Sequence, residues 1–343
     1  METHIKPKKL PLELIVFTYF LVWIPYIALS RGLTSTAHGD MTRPLKGLEF
    51  IPVSLTLVLV FIYLFFTLSG WWKFAQHKVI WGISLPCPTK WTLLSALGSA
   101  MLLVTVPLSY TFAGVSIPFI QLLMRGDVLL IAPIVDLASG RKVRWYSWVA
   151  LVMVAVAIIV TIWDRGGFFL PPLCIAAIVI YTIGYFLRLG IMTKIAKTPD
   201  PAMMKRYFVE EQMVTYPMAI LALGVLALIG QAGPLLDIRW GFVDIWQTGA
   251  VWWVVPVGIF TAVLAIYAAQ ILLDERENTF CVPLERSASI LGGIAATYLL
   301  SMLYGLPEPT KAELVGATIL MAAIALLSLA PRLSRAKTAP AKA

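Results

Sequence analysis

Apolar runs of roughly 17 to 25 residues, the length a helix needs to cross ~30 Å of hydrocarbon, recur ten times along this chain and constrain its fold more than any other feature. They fall at Leu12–Leu29, Phe50–Gly70, Trp91–Ala113, Val115–Ala138, Trp145–Trp163, Leu170–Thr193, Tyr207–Gln231, Gly249–Leu273, Thr279–Leu303 and Ala312–Ala330. Hydrocarbon offers the backbone no hydrogen-bond partners, so segments of this length specify helices. Hydrophobic residues make up 59% of the chain, charged residues only 13%, and the mean hydropathy is +0.85, which excludes an ordinary soluble domain. The third and fourth runs meet at Ala113-Gly114. A break is placed there because one helix of on the order of fifty residues is too long to cross once.

The first run follows Lys6, Lys8 and Lys9 and ends in Ala28-Leu29-Ser30, a pattern close to that of a secretory signal. It is too long for such a signal's apolar region, and Trp23, Pro25 and Tyr26 are too bulky beside a cleavage site, so it reads as the first membrane helix. With the N-terminus inside, eighteen of the 27 Lys and Arg residues fall in inner segments and six in outer ones; Arg125, Arg188 and Arg286 lie within runs. That bias puts both termini in the cytoplasm, with a bacterial cytoplasmic membrane as the expected location. It also assigns the net charge of +9 to loops at the membrane face rather than to nucleic acid. Trp71, Trp72, Trp145, Tyr146, Trp148, Trp163, Trp252 and Trp253 fall at run ends, as interfacial anchors do. Between the seventh and eighth runs, Pro234 to Thr248 mixes Trp240, Phe242 and Trp246 with Asp237 and Asp244, which fits a segment lying flat on the outer surface.

Five runs precede the short segment Asp164 to Phe169 and five follow it, and an odd number per half inverts the second copy. The halves, residues 1–169 and 170–343, also echo one another. Tyr110 precedes Arg125 as Tyr267 precedes Arg286, Tyr26 and Arg31 close the first run as Tyr185 and Arg188 close the sixth, and Glu49 with Pro52 matches Glu210-Glu211 with Pro217. This topology, together with Leu137-Ala-Ser-Gly140-Arg141-Lys142-Val143-Arg144-Trp145 leading into the fifth run, resembles the drug/metabolite transporter superfamily and its EamA-like permeases. Arg141 stands where those permeases often carry glutamate. The resemblance implies an all-α protein of ten transmembrane helices in two inverted five-helix repeats. It further implies a secondary carrier whose central cavity opens alternately to either side.

Charges within apolar runs mark where such a cavity lies, because each costs ~2.5–3.5 kcal/mol to insert and must find a partner or water. On a helix, Gln121 and Arg125 share one face while Asp127 points away from it. In the ninth run Arg286, Ser289, Gly293 and Thr297 form a polar, small-residue face with Glu285 about 100° off it. Two pairings are open, Arg125 with Glu285 and Arg286 with Asp127. Either the two arginines hold an anionic substrate group, as the planar donor fork of guanidinium suits, or the pairs lock the halves together. The expected binding set is therefore Arg125, Arg286, Gln121, Ser289 and Thr297, joined by Tyr110, Tyr267, Tyr26 and Tyr185, with Asp127 and Glu285 as charge partners. Tyr19, Trp23 and Tyr26 line one helix face, as do Tyr181 and Tyr185, which suits packing or a ligand box. Glu210 and Glu211 either carry a coupled proton or pair with Arg188 or Lys205.

The rival classes have less to stand on. His4, His38 and His77 lie outside the runs without ligand spacing, and no hydrolase, zinc-protease, phosphate-loop or dinucleotide motif occurs, so neither an enzyme nor a cofactor is expected. Cys87, Cys174 and Cys281 fit neither disulfides nor zinc. A flippase for a lipid-linked intermediate keeps the carrier architecture with a different cargo. Small residues Ala312, Gly316 and Ala323 in the last run allow a homodimer as well as a monomer.

Overall fold

Helices account for most of the described residues in the computed structural model, which describes residues 11–80, 82–126, 145–164, 170–196, 200–230, 232–274 and 278–338. The long helices are α1 (Leu12–Ser35), α2 (Gly47–Ser69), α3 (Lys90–Ser109), α5 (Trp145–Asp164), α6 (Pro172–Ile195), α7 (Pro201–Ile229), α9 (Val251–Leu272), α10 (Asn278–Tyr304) and α11 (Lys311–Thr338). Residues 117–126 form the described part of α4, and Pro234–Phe242 the short α8. Eight of these helices are long and apolar enough to cross a membrane. Their outward faces stay apolar: Leu68, Met302, Trp163 and Trp252 are 75–85% exposed, which suits contact with lipid and not with water. The chain is an integral membrane protein.

Nine of the ten runs coincide with helices except at their ends, and the fourth is described only over 117–126, where it is helical. α3 stops at Ser109 and α4 begins at 117, with Gly114 between them at φ 78°, a left-handed conformation that glycine adopts without penalty. α1 continues past Leu29 to Ser35, where Arg31 donates to the carbonyls of Tyr110 and Phe112 at 3.2 and 2.5 Å and so ties α1 to the turn after α3. Prolines 25, 52, 107, 217 and 256 lie inside helices, a placement that packed membrane helices tolerate.

Two departures from an all-helical chain occur between α2 and α3. The strands β1 (His77–Ile80) and β2 (Ile83–Pro86) pair antiparallel around Gly82 at φ 77°. β-branched residues on either side of a glycine carry this local signal, which lies between two apolar runs and is short beside them. The hairpin marks one end of the bundle, and α8 marks the other. There α8 caps the start of α2, with Lys46 bonding Asp237 at 2.6 Å and Gly241 pressed onto the Glu49 carbonyl. Buried Glu49 bonds the Lys46 backbone N–H and takes both Arg43 nitrogens at 2.7 and 2.8 Å; this bond raises the hold of Arg43 on its proton.

Packing follows the rule that membrane helices meet through small residues, because lipid supplies no hydrophobic drive to bring them together. α3 crosses α6 glycine on glycine: a β-carbon on Gly98 would lie 2.6 Å from the Gly184 carbonyl oxygen, and one on Gly184 2.7 Å from that of Gly98. Ala288, Gly292 and Ala296 of α10 receive α1, with Trp23 over Gly292. Gly316 and Ala323 of α11 are taken up against α5 and α4 within the chain, where Gly316 faces Thr161 and Leu122, so this face is already occupied without a second copy. α3 packs on α6 and α7 just as α9 packs on α1 and α2, while α5 and α11 pair at the periphery.

Candidate functional site

Helices α1, α2, α3, α4, α6, α7, α9 and α10 enclose a central cavity of about 140 Å³. Arg125 reaches it from α4 and Arg286 from α10, and they are only 5% and 2% exposed. Both converge on one atom. Arg125 Nη1 donates to the Tyr181 hydroxyl at 2.7 Å, and Arg286 Nη1 donates to the same oxygen. Aromatic faces hold the guanidinium planes: Arg125 lies 5.5 Å from the Trp23 ring centre, and Arg286 lies 4.0 Å from that of Tyr185. Tyr181 and Tyr185 stack, with centroids 6.1 Å apart.

Glu285 also lines the cavity, and its ion pair is with Arg286 rather than with Arg125 as the first of the two expected pairings had it. Its Oε1 accepts from the Tyr19 hydroxyl at 2.6 Å, while Oε2 lies 3.4 Å from Nε of Arg286, its neighbour in sequence. Long side chains on successive residues curl toward one cavity when partners on other helices draw them there, Tyr19 for the carboxylate and Tyr181 for the guanidinium. Asp127, the other expected partner, lies outside the described residues, as do residues 137–144. Arg125 Nε and Arg286 Nη2 have no hydrogen-bond partner among the described residues, although both are buried. Buried donors are normally paired, so these mark where a ligand's acceptors fit.

Of the other expected residues, Tyr26 and Tyr185 line the cavity, and Gln121, Tyr110, Tyr267, Ser289 and Thr297 do not. Gln121 instead bridges α4 to α10: Nε2 donates to the Ser289 carbonyl at 2.9 Å and to the Tyr110 hydroxyl at 3.3 Å. Gly293 makes this possible, since a β-carbon there would lie 1.9 Å from Gln121 Oε1. The Ser289 hydroxyl turns back to the Arg286 carbonyl, and that of Thr297 to the Gly293 carbonyl, both at 2.8 Å. Tyr267 packs in the apolar core. A shared helix face thus brought Gln121 and Arg125 inward together but did not give them the same neighbours.

Thr297 lines a second cavity, of about 480 Å³, at the α8 end, with Arg31, Thr34, Ser116, Glu308 and Glu313. Along α4 the order is Ile117 in the second cavity, Gln121 in the bridge, and Arg125 in the first. Along α10 the order is Thr297, then Gly293 and Ser289, then Arg286. The bridge around Gln121 therefore separates two cavities.

Glu210 and Glu211 lie off the cavity wall, and each has a full set of donors. Glu210 accepts from the backbone N–H groups of Gln76 and Thr89, from the Thr92 hydroxyl, and from Arg206 at 2.8 Å, fastening the hairpin to α7. Glu211 accepts from Ser95, Ser99, Tyr207 and Gln212 and pairs with Arg188 through contacts of 3.0 and 3.2 Å. Arg188, so held, lines the cavity beside Ser99 and Gln212. The sequence reading offered Arg188 as a partner for these glutamates but not as a cavity residue, and it missed Tyr181 as the shared acceptor. The one signal for Tyr181 was its spacing from Tyr185.

No protein-family model matches the chain, and no curated protein matches it. Solved structures do match. One crystal structure, described only as that of a protein, superposes over 94% of this chain and 98% of that one with a TM-score of 0.54 and 16% sequence identity. At that identity the likeness is one of fold: this helical arrangement, over nearly its whole extent, is shared with another protein.

Proposed function

We propose that the chain is a secondary carrier of the drug/metabolite transporter type, moving a small anionic or zwitterionic metabolite by alternating access. The observation that carries this reading is the convergence of Arg125 and Arg286 on one tyrosine oxygen inside a buried cavity, each with a donor left unpaired. Static locks between helices ordinarily satisfy their donors; a binding site keeps some for its ligand. The two cavities on either side of the Gln121 bridge suit a carrier closed toward one end. Two inverted repeats account for the packing, because exchanging α1, α2, α3 and α4 with α6, α7, α9 and α10 maps the cavity-lining helices onto one another. The same exchange turns the contacts of α3 with α6 and α7 into those of α9 with α1 and α2.

Under this reading Glu210 and Glu211 anchor the hairpin and Arg188, and Glu285 is the carboxylate placed to respond to cargo or to a coupled proton. A ligand-stabilisation screen on the purified protein, across amino acids, nucleotides, phosphorylated sugars and polyprenyl phosphates, identifies the cargo class. Counterflow of the best compound in liposomes then measures transport. Arg125→Gln and Arg286→Gln each lower uptake by about ten- to a hundredfold, the loss expected for one or two hydrogen bonds to a charged group. Uptake unchanged in both variants, with the protein folded, overturns the site.

The lysine and arginine distribution favours both termini, and with them the hairpin end, on the cytoplasmic side. A phosphatase fused at the C-terminus in a bacterial host should be inactive and a fluorescent protein fused there bright. The reverse pattern inverts the assignment.

A further inference from the structure

The charges and shape of the central cavity carry the reading further than a generic anion. Arg188 is neutralised by Glu211 through two contacts. Glu285 offsets one of the two remaining arginines, Arg125 and Arg286. Among the described residues lining the cavity, one positive charge is left over, and it is buried. A second unmatched charge among side chains so buried is strongly unfavourable, so the site suits one negative charge and not two.

The free hydrogen-bonding groups point the same way. Arg125 Nε and Arg286 Nη2 are donors only, and both are without a partner. The unpartnered hydroxyls of Tyr185 and Tyr216, which also line the cavity, can donate to a carboxylate as well as accept, and the one free carboxylate oxygen, Glu285 Oε2, lies 3.4 Å from Arg286 Nε, which already holds it electrostatically. A ligand ammonium would have to compete with that guanidinium. A carboxylate would not.

Part of the lining is apolar. α2, α3 and α9 present Leu55, Val58, Leu103, Val106, Leu264 and Ala268. Hydroxyls on α2 and α9 are spent on their own helices: Ser54 donates to the Ile51 carbonyl at 3.0 Å and Thr261 to the Val257 carbonyl at 2.7 Å. They offer a ligand no free hydrogen. Size sets the last limit, since a cavity of about 140 Å³ is close to the ~150 Å³ that accepts benzene. A nucleotide or a long acyl chain does not fit in that space.

We propose that the central cavity selects a monoanion: a carboxylate that collects the free hydrogens of Arg125 and Arg286, on an apolar body about the size of one ring lying against α2, α3 and α9. This rests on the carrier site proposed above and narrows its cargo.

The test measures binding to the full-length protein in lipid nanodiscs at pH 7.5 by isothermal titration. The probes share one ring or one charge: phenylacetate, phenylalanine, phenyl phosphate, benzyl alcohol and octanoate. Phenylacetate is expected to bind at least tenfold tighter than the zwitterion, the dianion, the neutral alcohol and the chain acid. Arg125→Gln should weaken it about tenfold or more. Ala268→Phe, which leaves every charge in place and fills the apolar end, should weaken phenylacetate by a similar factor. Should Arg125→Gln fail to fold, Arg125→Lys keeps the charge without the planar fork and is expected to show the same loss. Phenylalanine or phenyl phosphate binding as tightly as phenylacetate, and depending on Arg125, overturns the monoanion assignment while leaving the carrier site standing. Octanoate binding tighter than phenylacetate overturns the ring-sized body. Failure of every charged probe to bind in an Arg125-dependent way overturns the site itself.

Discussion

Glu211→Ala is expected to destabilise the protein by about 3–5 kcal/mol, the largest effect of any single substitution considered. Its carboxylate accepts from Ser95, Ser99, Tyr207, Gln212 and Arg188, which links α3, α6 and α7 at one fully buried point. Truncation leaves Arg188 inside the bundle without its counter-ion and Ser99 without its acceptor, while Ser95 and Tyr207 keep only their bond to each other. The removed attraction matters less than the stranded charge, because a buried guanidinium keeps the full cost of its lost hydration. Thermal unfolding in detergent, followed by tryptophan fluorescence, measures the loss. The control is the double variant Glu211→Gln with Arg188→Gln, which removes both charges and retains hydrogen-bonding groups. It should recover most of the stability lost in Glu211→Gln alone. A double variant no more stable than that single one assigns the effect to packing and sets the ion pair aside.

Gly184→Val should rank next, at the upper end of the ~1–3 kcal/mol typical of overpacking or beyond it. Its β-carbon would meet the Gly98 carbonyl oxygen at 2.7 Å and the side chains of Met101 and Leu102 at 2.8 Å. Backbone has no rotamer with which to move aside, so α3 and α6 must separate. That separation draws Arg188 away from Glu211 and Tyr181 away from the two arginines, since α6 carries both Arg188 and Tyr181. The variant therefore loses ligand binding as well as stability. Gly190→Val, on the same helix with open space around its β-carbon, provides the comparison and should be close to neutral in both. Equal stability in the two variants would show that the glycine crossing is not what sets the spacing of α3 and α6.

Much of the architecture was legible in the chain because the bilayer imposes a length and a polarity on every crossing. The runs at Leu12, Phe50, Trp91 and Trp145 became α1, α2, α3 and α5 with only their ends displaced, since ends are fixed by local contacts such as Arg31 with the Tyr110 and Phe112 carbonyls. Arg125, Arg286 and Glu285 stood out because an ion in an apolar run must find a partner. Helical periodicity gives the direction of a side chain around its own axis. It does not give which neighbour stands in that direction, or how far away.

That distinction separates what the sequence settled alone from what required the tertiary structure. The sequence determined the membrane class, the long helices and the three arginines within them, because solvation costs act residue by residue and leave their mark in composition. Only the folded arrangement decided that Tyr181 receives two arginines, that Glu285 pairs with its own neighbour, that Arg188 is held by Glu211, and that Gln121 closes a bridge over Gly293. Each of these depends on the rotation and approach of separate helices. Rotation and approach are set by many small contacts at once, with glycine crossings such as Gly98 on Gly184 allowing the closest of them.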